Sequence, residues 1–251
     1  MINYSINDNN WKIIYTFLLQ QKGIHVKNEG RVRLFLEAIF YKMRSGIQWR
    51  LIGAYYGDWR ALHKRFLYWV KKGMFEKLFL HVQQDPDMEF FMIDSTIVRA
   101  HACAAGYGRE NYEKNALGRS KGGFTTKIHA LVDSLGLPLK FILTSGQRND
   151  ITQAKALIEG RKGNFLLADK GYDSNDFIAA IKKTDATPVI PSRNNRVDQR
   201  FYDKDIYKER HNIECFFGKI KHFRGICSRF DKSAAVFMGF LHFVGALIWL
   251  R

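Results

Sequence analysis

At 251 residues and 46% hydrophobic content, the chain can bury a proper core as one large domain or two small ones, which excludes a disordered protein. Lys and Arg number 40 against 24 Asp and Glu, a formal net charge of +16, and that excess points to a polyanionic partner. No stretch sets a long basic face opposite an apolar one, so nucleic acid is favoured over a membrane surface.

Three cysteines, Cys103, Cys215 and Cys227, form no C-x-x-C pair, which argues against a disulfide framework or a zinc ribbon and fits a reducing cytoplasm. The opening MINYSINDNNWK lacks the basic-then-apolar pattern of a signal peptide.

In chain order, the first stretch predicts helices separated by glycines. Asn9 or Asn10 caps one with Trp11, Ile14, Phe17 and Leu18 inward. A second runs from about Arg31 to Arg44 with Leu34, Ala38 and Tyr41 inward and ends near Gly46, and Ile47–Ile52 reads as a short helical turn. Asp58 caps a third, with Trp59, Leu62, Phe66 and Trp69 inside and Arg60, Lys64, Arg65 and Lys71 in solvent. A fourth covers Phe75–Val82.

Residues 1–85 hold 14 basic and six acidic side chains, about twice the net charge density of the remainder. A small all-α, helix-turn-helix-like domain over 1–84 therefore suits DNA, with Arg60, Lys64 and Arg65 as candidate contacts. Pro86 marks the linker.

From residue 85 to 251 the texture becomes α/β. Glu89–Val98, Thr125–Val132 and Leu137–Thr144 read as strands, the last two as a hairpin. Asp150–Glu159 is a helix, Asn164–Ala168 a strand, Ser174–Lys183 a helix and Thr187–Ile190 a strand. A long helix over Asp205–Arg224 follows, and the apolar Phe237–Leu250 is a buried helix too short to span a bilayer. Together these describe a mixed sheet with flanking helices. Arg99–Gly123 reads as a basic glycine-rich loop whose Arg119, Lys121 and Lys127 could grip a nucleic-acid backbone.

Asp94 and Asp169 each follow a short apolar run, so each is carried out of the core at a strand end. On the long helix, Tyr207, Arg210, Glu214 and Lys221 fall within a sector of about 60° at roughly 100° per residue. The three acids, from two strands and a helix, could converge. Clustered carboxylates repel, and hard oxygen ligands without Cys or His suit Mg²⁺ or Mn²⁺, two ions of which can support phosphodiester cleavage or transfer. Arg210, Lys221 and Lys170 are placed to hold phosphates, and Tyr207 to stack on a nucleotide. Alternatively, Arg210 pairs with Glu214 along the helix and Tyr207 is a core aromatic.

The series DSTIVRAHACAAG, GRSKGGFTTKIHALVDSLGLPLKFILTSGQRND and LLADKGYDS, with the Tyr-Arg-Glu-Lys helix, resembles the DDE transposases of bacterial insertion sequences, closest to the family numbered five, a relative of family four. The resemblance implies a ribonuclease-H-like catalytic domain with Asp94, Asp169 and Glu214 as the metal-binding catalytic acids. It further implies binding of double-stranded DNA at terminal inverted repeats and at a target, a dimeric synaptic complex, and action at the bacterial nucleoid. A DNA-binding repressor lacking catalysis and a structure-specific nuclease of the same fold are the rival readings.

Overall fold

The computed structural model describes residues 5–105, 112–120 and 123–251. Four helices open the chain: α1 (Asp8–Leu19), α2 (Glu29–Ser45), α3 (Trp59–Lys71) and α4 (Met74–His81). The α1 interior is Trp11, Ile14, Phe17 and Leu18, as its spacing predicts, although the capping side chain is Asn7. Helix α2 is rolled from its expected orientation. Val32, Phe35, Leu36, Ile39 and Met43 are buried, and Leu34 and Tyr41 lie at the margin. With apolar residues nearly all around this helix, periodicity alone does not determine the inward face.

Strands β1 (Phe90–Ala100), β3 (Gly123–Asp133) and β4 (Pro138–Ser145) form an antiparallel meander, which β5 (Phe165–Leu167) and β6 (Thr187–Val189) extend in parallel beyond β1. Two short strands complete the sheet. β2 (Gly118–Ser120) pairs with β3, and β7 (Ser228–Arg229) pairs with the far end of β1. The stretch expected to be a loop thus contains the end of β1, a four-residue helix α5 (Ala102–Ala105) and β2. This is the expected mixed ribonuclease-H-like sheet with flanking helices.

The pleat of β1 sorts its side chains between two cores. Phe91 and Ile93 face α6 (Ile151–Ile158) and α7 (Asn175–Lys182), packing with Leu157, Leu166 and Phe177. Met92 and Val98 face the other way, onto a core shared by Leu167, Val189 and the later helices: α8 (Lys204–Lys208), α9 (His211–Lys221), α10 (Arg224–Cys227) and α11 (Ala234–Trp249).

That second core runs without interruption into the N-terminal helices. Phe66 of α3 stacks on Phe240 of α11 at 4.2 Å, and Phe79 of α4 stacks on Phe141 of β4 at 5.3 Å. Helix α11 is therefore a buried strut between the two parts of the chain, and among the described residues no helix is long and apolar enough to cross a membrane.

Two histidines are held neutral by this packing. Burial depresses His129, fully enclosed in β3, and His242, in α11, to about 4 each. Their folded pKa values lie below the unfolded value near 6.5, so unfolding takes up protons as pH falls. Stability is full above about pH 6.5 and declines toward pH 4, by up to ~3 kcal/mol per histidine on the linkage scale. Urea midpoints at pH 7 and pH 4.5 measure the loss, and the double variant His129→Gln, His242→Gln should flatten it.

Candidate active site

Strand β1 pairs with β5 in parallel through Met92 opposite Leu167. Two residues after that pair stand Asp94, still in β1 and, by its pleat, on the face that carries α9, and Asp169, whose charge Asp94 feels. Asp169 lies just past the end of β5, where its carboxylate turns back to accept the Gly171 N–H at 2.8 Å and starts a 3-10 turn.

The helix that brings in Glu214 is two pieces rather than one. Glu209 and Arg210 accommodate the joint with i→i+3 hydrogen bonds, Tyr207 accepting from Arg210 and Arg210 from Ile213. A 3-10 joint winds about 120° per residue instead of 100°, so Tyr207 and Arg210, three residues apart, come to lie on one side of the helix. Tyr207 lies half-buried against Tyr202, ring centroids 5.4 Å apart, with the Arg210 guanidinium over its face. Helix α9 is seated by Ile213, Phe216, Phe217 and Ile220 and tied to the β3–β4 hairpin by Asn212, whose Nδ2 donates to the Ser134 carbonyl at 2.9 Å. Gly136 makes that approach feasible. A Cβ there would meet the Asn212 carbonyl oxygen at 2.9 Å, and its φ of +74° suits glycine.

Arg210 links the acids. It donates to Asp94 Oδ2 at 2.9 Å and to Glu214 Oε1, so the expected pairing along the helix is present and extends to the strand. Glu214 is the most exposed of the three groups, at 58% against 20% for Asp94 and 17% for Arg210. Burial raises the Asp94 pKa, the Ser95 N–H and Arg210 pull it back, and the nearby negative charge of Asp169 adds to the rise. Asp94 and Asp169 therefore share one electrostatic neighbourhood, and Tyr172, beside Asp169 in sequence, feels both.

Half-buried carboxylate oxygens without Cys or His are the donor set of a hard divalent cation. Their spacing is open: among the described residues no group of three His, Cys, Asp or Glu side chains is drawn close enough to hold an ion, and a guanidinium occupies the space between Asp94 and Glu214.

The basic candidates divide. Lys170, Lys221, Arg119, Arg60 and Lys64 are exposed. Arg65 is engaged within the helical bundle, over the rings of Phe35 and Trp69 and donating to the His25 carbonyl at 2.7 Å. Lys121 lies outside the described residues. Lys127, expected to grip a nucleic-acid backbone, is in β3, where the predicted strand puts it, and only 8% exposed, with its ammonium on Asp150 Oδ1 and the Arg148 carbonyl, each at 2.7 Å. Asp150, across the sheet, therefore engages the charge of this lysine within the fold.

Two acids at or beside predicted helix starts prove to be network centres. Asp150 does not cap α6 but accepts from Ser95 Oγ at 2.7 Å as well as from Lys127. Asp173, almost wholly buried, binds Arg196 and Arg200 and the Arg193 N–H, while Ser174 caps α7. The Arg193 guanidinium also donates to the carbonyls of Lys170 and Gly171, immediately after Asp169. Three arginines in eight residues were the available sequence signal.

The chain is similar to known proteins along most of its length. Residues 85–249 match the family described as "Transposase DDE domain" and residues 6–79 the one described as "Putative transposase of IS4/5 family". The "Putative transposase for insertion sequence element IS6501" of Brucella ovis is 45% identical over 134 residues, covering 51% of this chain and 99% of the relative. That for element IS402 of Burkholderia cepacia is 31% identical over 147 residues, covering 54% and 66%. Among solved structures, the piggyBac transposase in a synaptic complex with hairpin DNA shares the fold, with a TM-score of 0.55 at 11% identity over 98% of this chain and 72% of that one. By the match of its catalytic half and by a relative aligned along nearly its whole length, the chain belongs to the DDE transposase family of insertion sequences and is a DNA transposase.

Proposed function

We propose that this transposase binds the terminal inverted repeats of its element as double-stranded DNA, hydrolyses a phosphodiester at each end and transfers the freed 3′-hydroxyl to a target. We infer a homodimer in the synaptic complex. The observation that supports this reading is the nearness of Asp94 in β1 to Asp169, just past the adjacent parallel strand β5, with Arg210 at the start of α9 joining Asp94 to Glu214.

The family generally uses divalent metal ions. Asp94, Asp169 and Glu214 would hold Mg²⁺ or Mn²⁺, which supplies charge stabilisation for the attacking and leaving oxygens of an in-line displacement. Around that centre the chain's own groups position DNA. Arg210 can exchange a carboxylate for a phosphate, since its planar fork fits either. Lys170 and Lys221 add exposed charge on either side. Incubation with end-bearing DNA should give nicked and then joined products with Mg²⁺ and neither with a chelator. Cutting without joined product would refute strand transfer.

Residues 1–84 act as the principal DNA-holding domain in this reading, through Arg60 and Lys64 on the outer stripe of α3. Withdrawing one basic side chain from a phosphate lowers the slope of log K against log salt by about 0.9, so the double variant Arg60→Ala, Lys64→Ala should lower it by about 2. Arg65→Ala should change stability more than that slope. Titration of a labelled duplex at several salt concentrations measures both.

A further inference from the structure

A cavity of about 560 Å³ opens beside α3, away from the three acids. Its walls are Trp49, Trp59, His63 and Phe230, with Trp49 and His63 packed ring to ring at 4.9 Å. Lys42 of α2 and Asp231, just before α11, also line it. Lys42 is 3% exposed, and its Nζ has one hydrogen bond, to the Ile47 carbonyl at 3.2 Å, leaving two donors. Asp231 feels Lys42, Arg229 and His63 across a distance, and among the described residues its carboxylate accepts no hydrogen bond.

A buried ammonium and a largely buried carboxylate that face one cavity without touching forgo the attraction that would offset their desolvation. Such a pair suits a ligand that bonds both. A cationic ligand is disfavoured, because the Lys42 ammonium already lies over the Trp49 and Phe240 rings, at 5.3 and 5.6 Å. A bare anion is disfavoured by Asp231. What remains is a flat, neutral ring with donors and an acceptor on one edge, held between aromatic walls.

Of the nucleobases, guanine offers a carboxylate two parallel N–H donors beside a carbonyl acceptor. Position along the chain favours a base still attached to DNA. Trp59 and His63 form the wall, while Arg60 and Lys64, the next residue in each case, are exposed on the stripe expected to meet phosphates, the Arg60 guanidinium lying 5.0 Å over the Trp59 ring. Exposed Arg50 lies at the rim.

We propose that this cavity receives an unpaired guanine swung out of DNA held against α3. Asp231 accepts from its N1–H and N2–H groups, Lys42 donates to its O6, and an indole stacks on its face. This rests on the DNA-binding reading above.

The test uses the full chain and three fluorescein-labelled duplexes, one with a single unpaired guanine, one with an unpaired thymine in its place and one fully paired, titrated by anisotropy at fixed salt. The guanine bulge should bind about tenfold more tightly than the thymine bulge. Asp231→Asn should abolish that preference while leaving the fully paired duplex, which also reports folding, at its wild-type affinity. Equal affinity for the two bulges, or a preference that survives in Asp231→Asn, overturns the proposal. A parallel titration with dGMP separates the sources: saturable tryptophan quenching by dGMP without a bulge preference overturns the DNA-base assignment in favour of a free nucleotide. If none of the duplexes binds, the DNA-binding reading fails, and this inference with it.

Discussion

Asp94→Asn should lower strand cleavage by about 10³-fold or more, the scale on which enzymes lose rate when a group central to the reaction is removed. DNA affinity should be unchanged or slightly tighter, because a negative charge facing phosphates has been removed. The amide keeps the shape of the carboxylate and can still accept from Arg210, whose Nη1 stands 2.9 Å from Asp94 Oδ2, so the site should remain assembled. Cleavage of end-bearing DNA under single-turnover conditions, with binding measured separately, checks both halves. Cleavage at the wild-type rate would remove Asp94 from the chemistry. A matched loss of binding and cleavage would show a folding defect instead.

Phe240→Ala should cost about 3–5 kcal/mol, the usual range for truncating a buried phenylalanine, and lower Tm by about 10 °C. The ring is fully buried, stacked on Phe66 and close to Trp49, with the Lys42 ammonium over its face. Because these partners come from the N-terminal helices and Phe240 from the C-terminal one, the shift should occur as one cooperative transition covering the whole chain. Two transitions, of which only one moves, would show that the helical segment and the sheet fold independently. Phe66→Ala provides the reciprocal measurement from the other side of the same stacked pair.

The sequence revealed what periodicity and strand-end chemistry encode. The apolar run before Asp169 correctly placed that acid past a strand end, whereas Asp94, read the same way, lies inside β1, which continues to Ala100 because β3 pairs with it along its whole length; the Ser134-Leu135-Gly136 turn gave the hairpin. Three features depended on tertiary context. The roll of α2 is set by what packs on either side of it. The joint at Glu209–Arg210 interrupts a run that reads as one helix, because no glycine or proline marks it. Lys127 looked like a cation free for DNA because it follows a basic stretch, and only the position of Asp150 across the sheet shows where its charge goes. The shared core was also hidden, since a proline-containing linker says nothing about whether the helices on one side fold back onto the other.

Strand β1 runs from Phe90 to Ala100 as one uninterrupted element, with Asp94 near its middle and His101, a cavity-lining residue, just past its end. The seven-residue step from Asp94 to His101 spans about 23 Å when extended, close to the rise of about seven base-pair steps at about 3.4 Å each. On the two proposals made above, this single rigid rod would act as a gauge, fixing how many nucleotides separate the phosphate that is cut from the base that is lifted out.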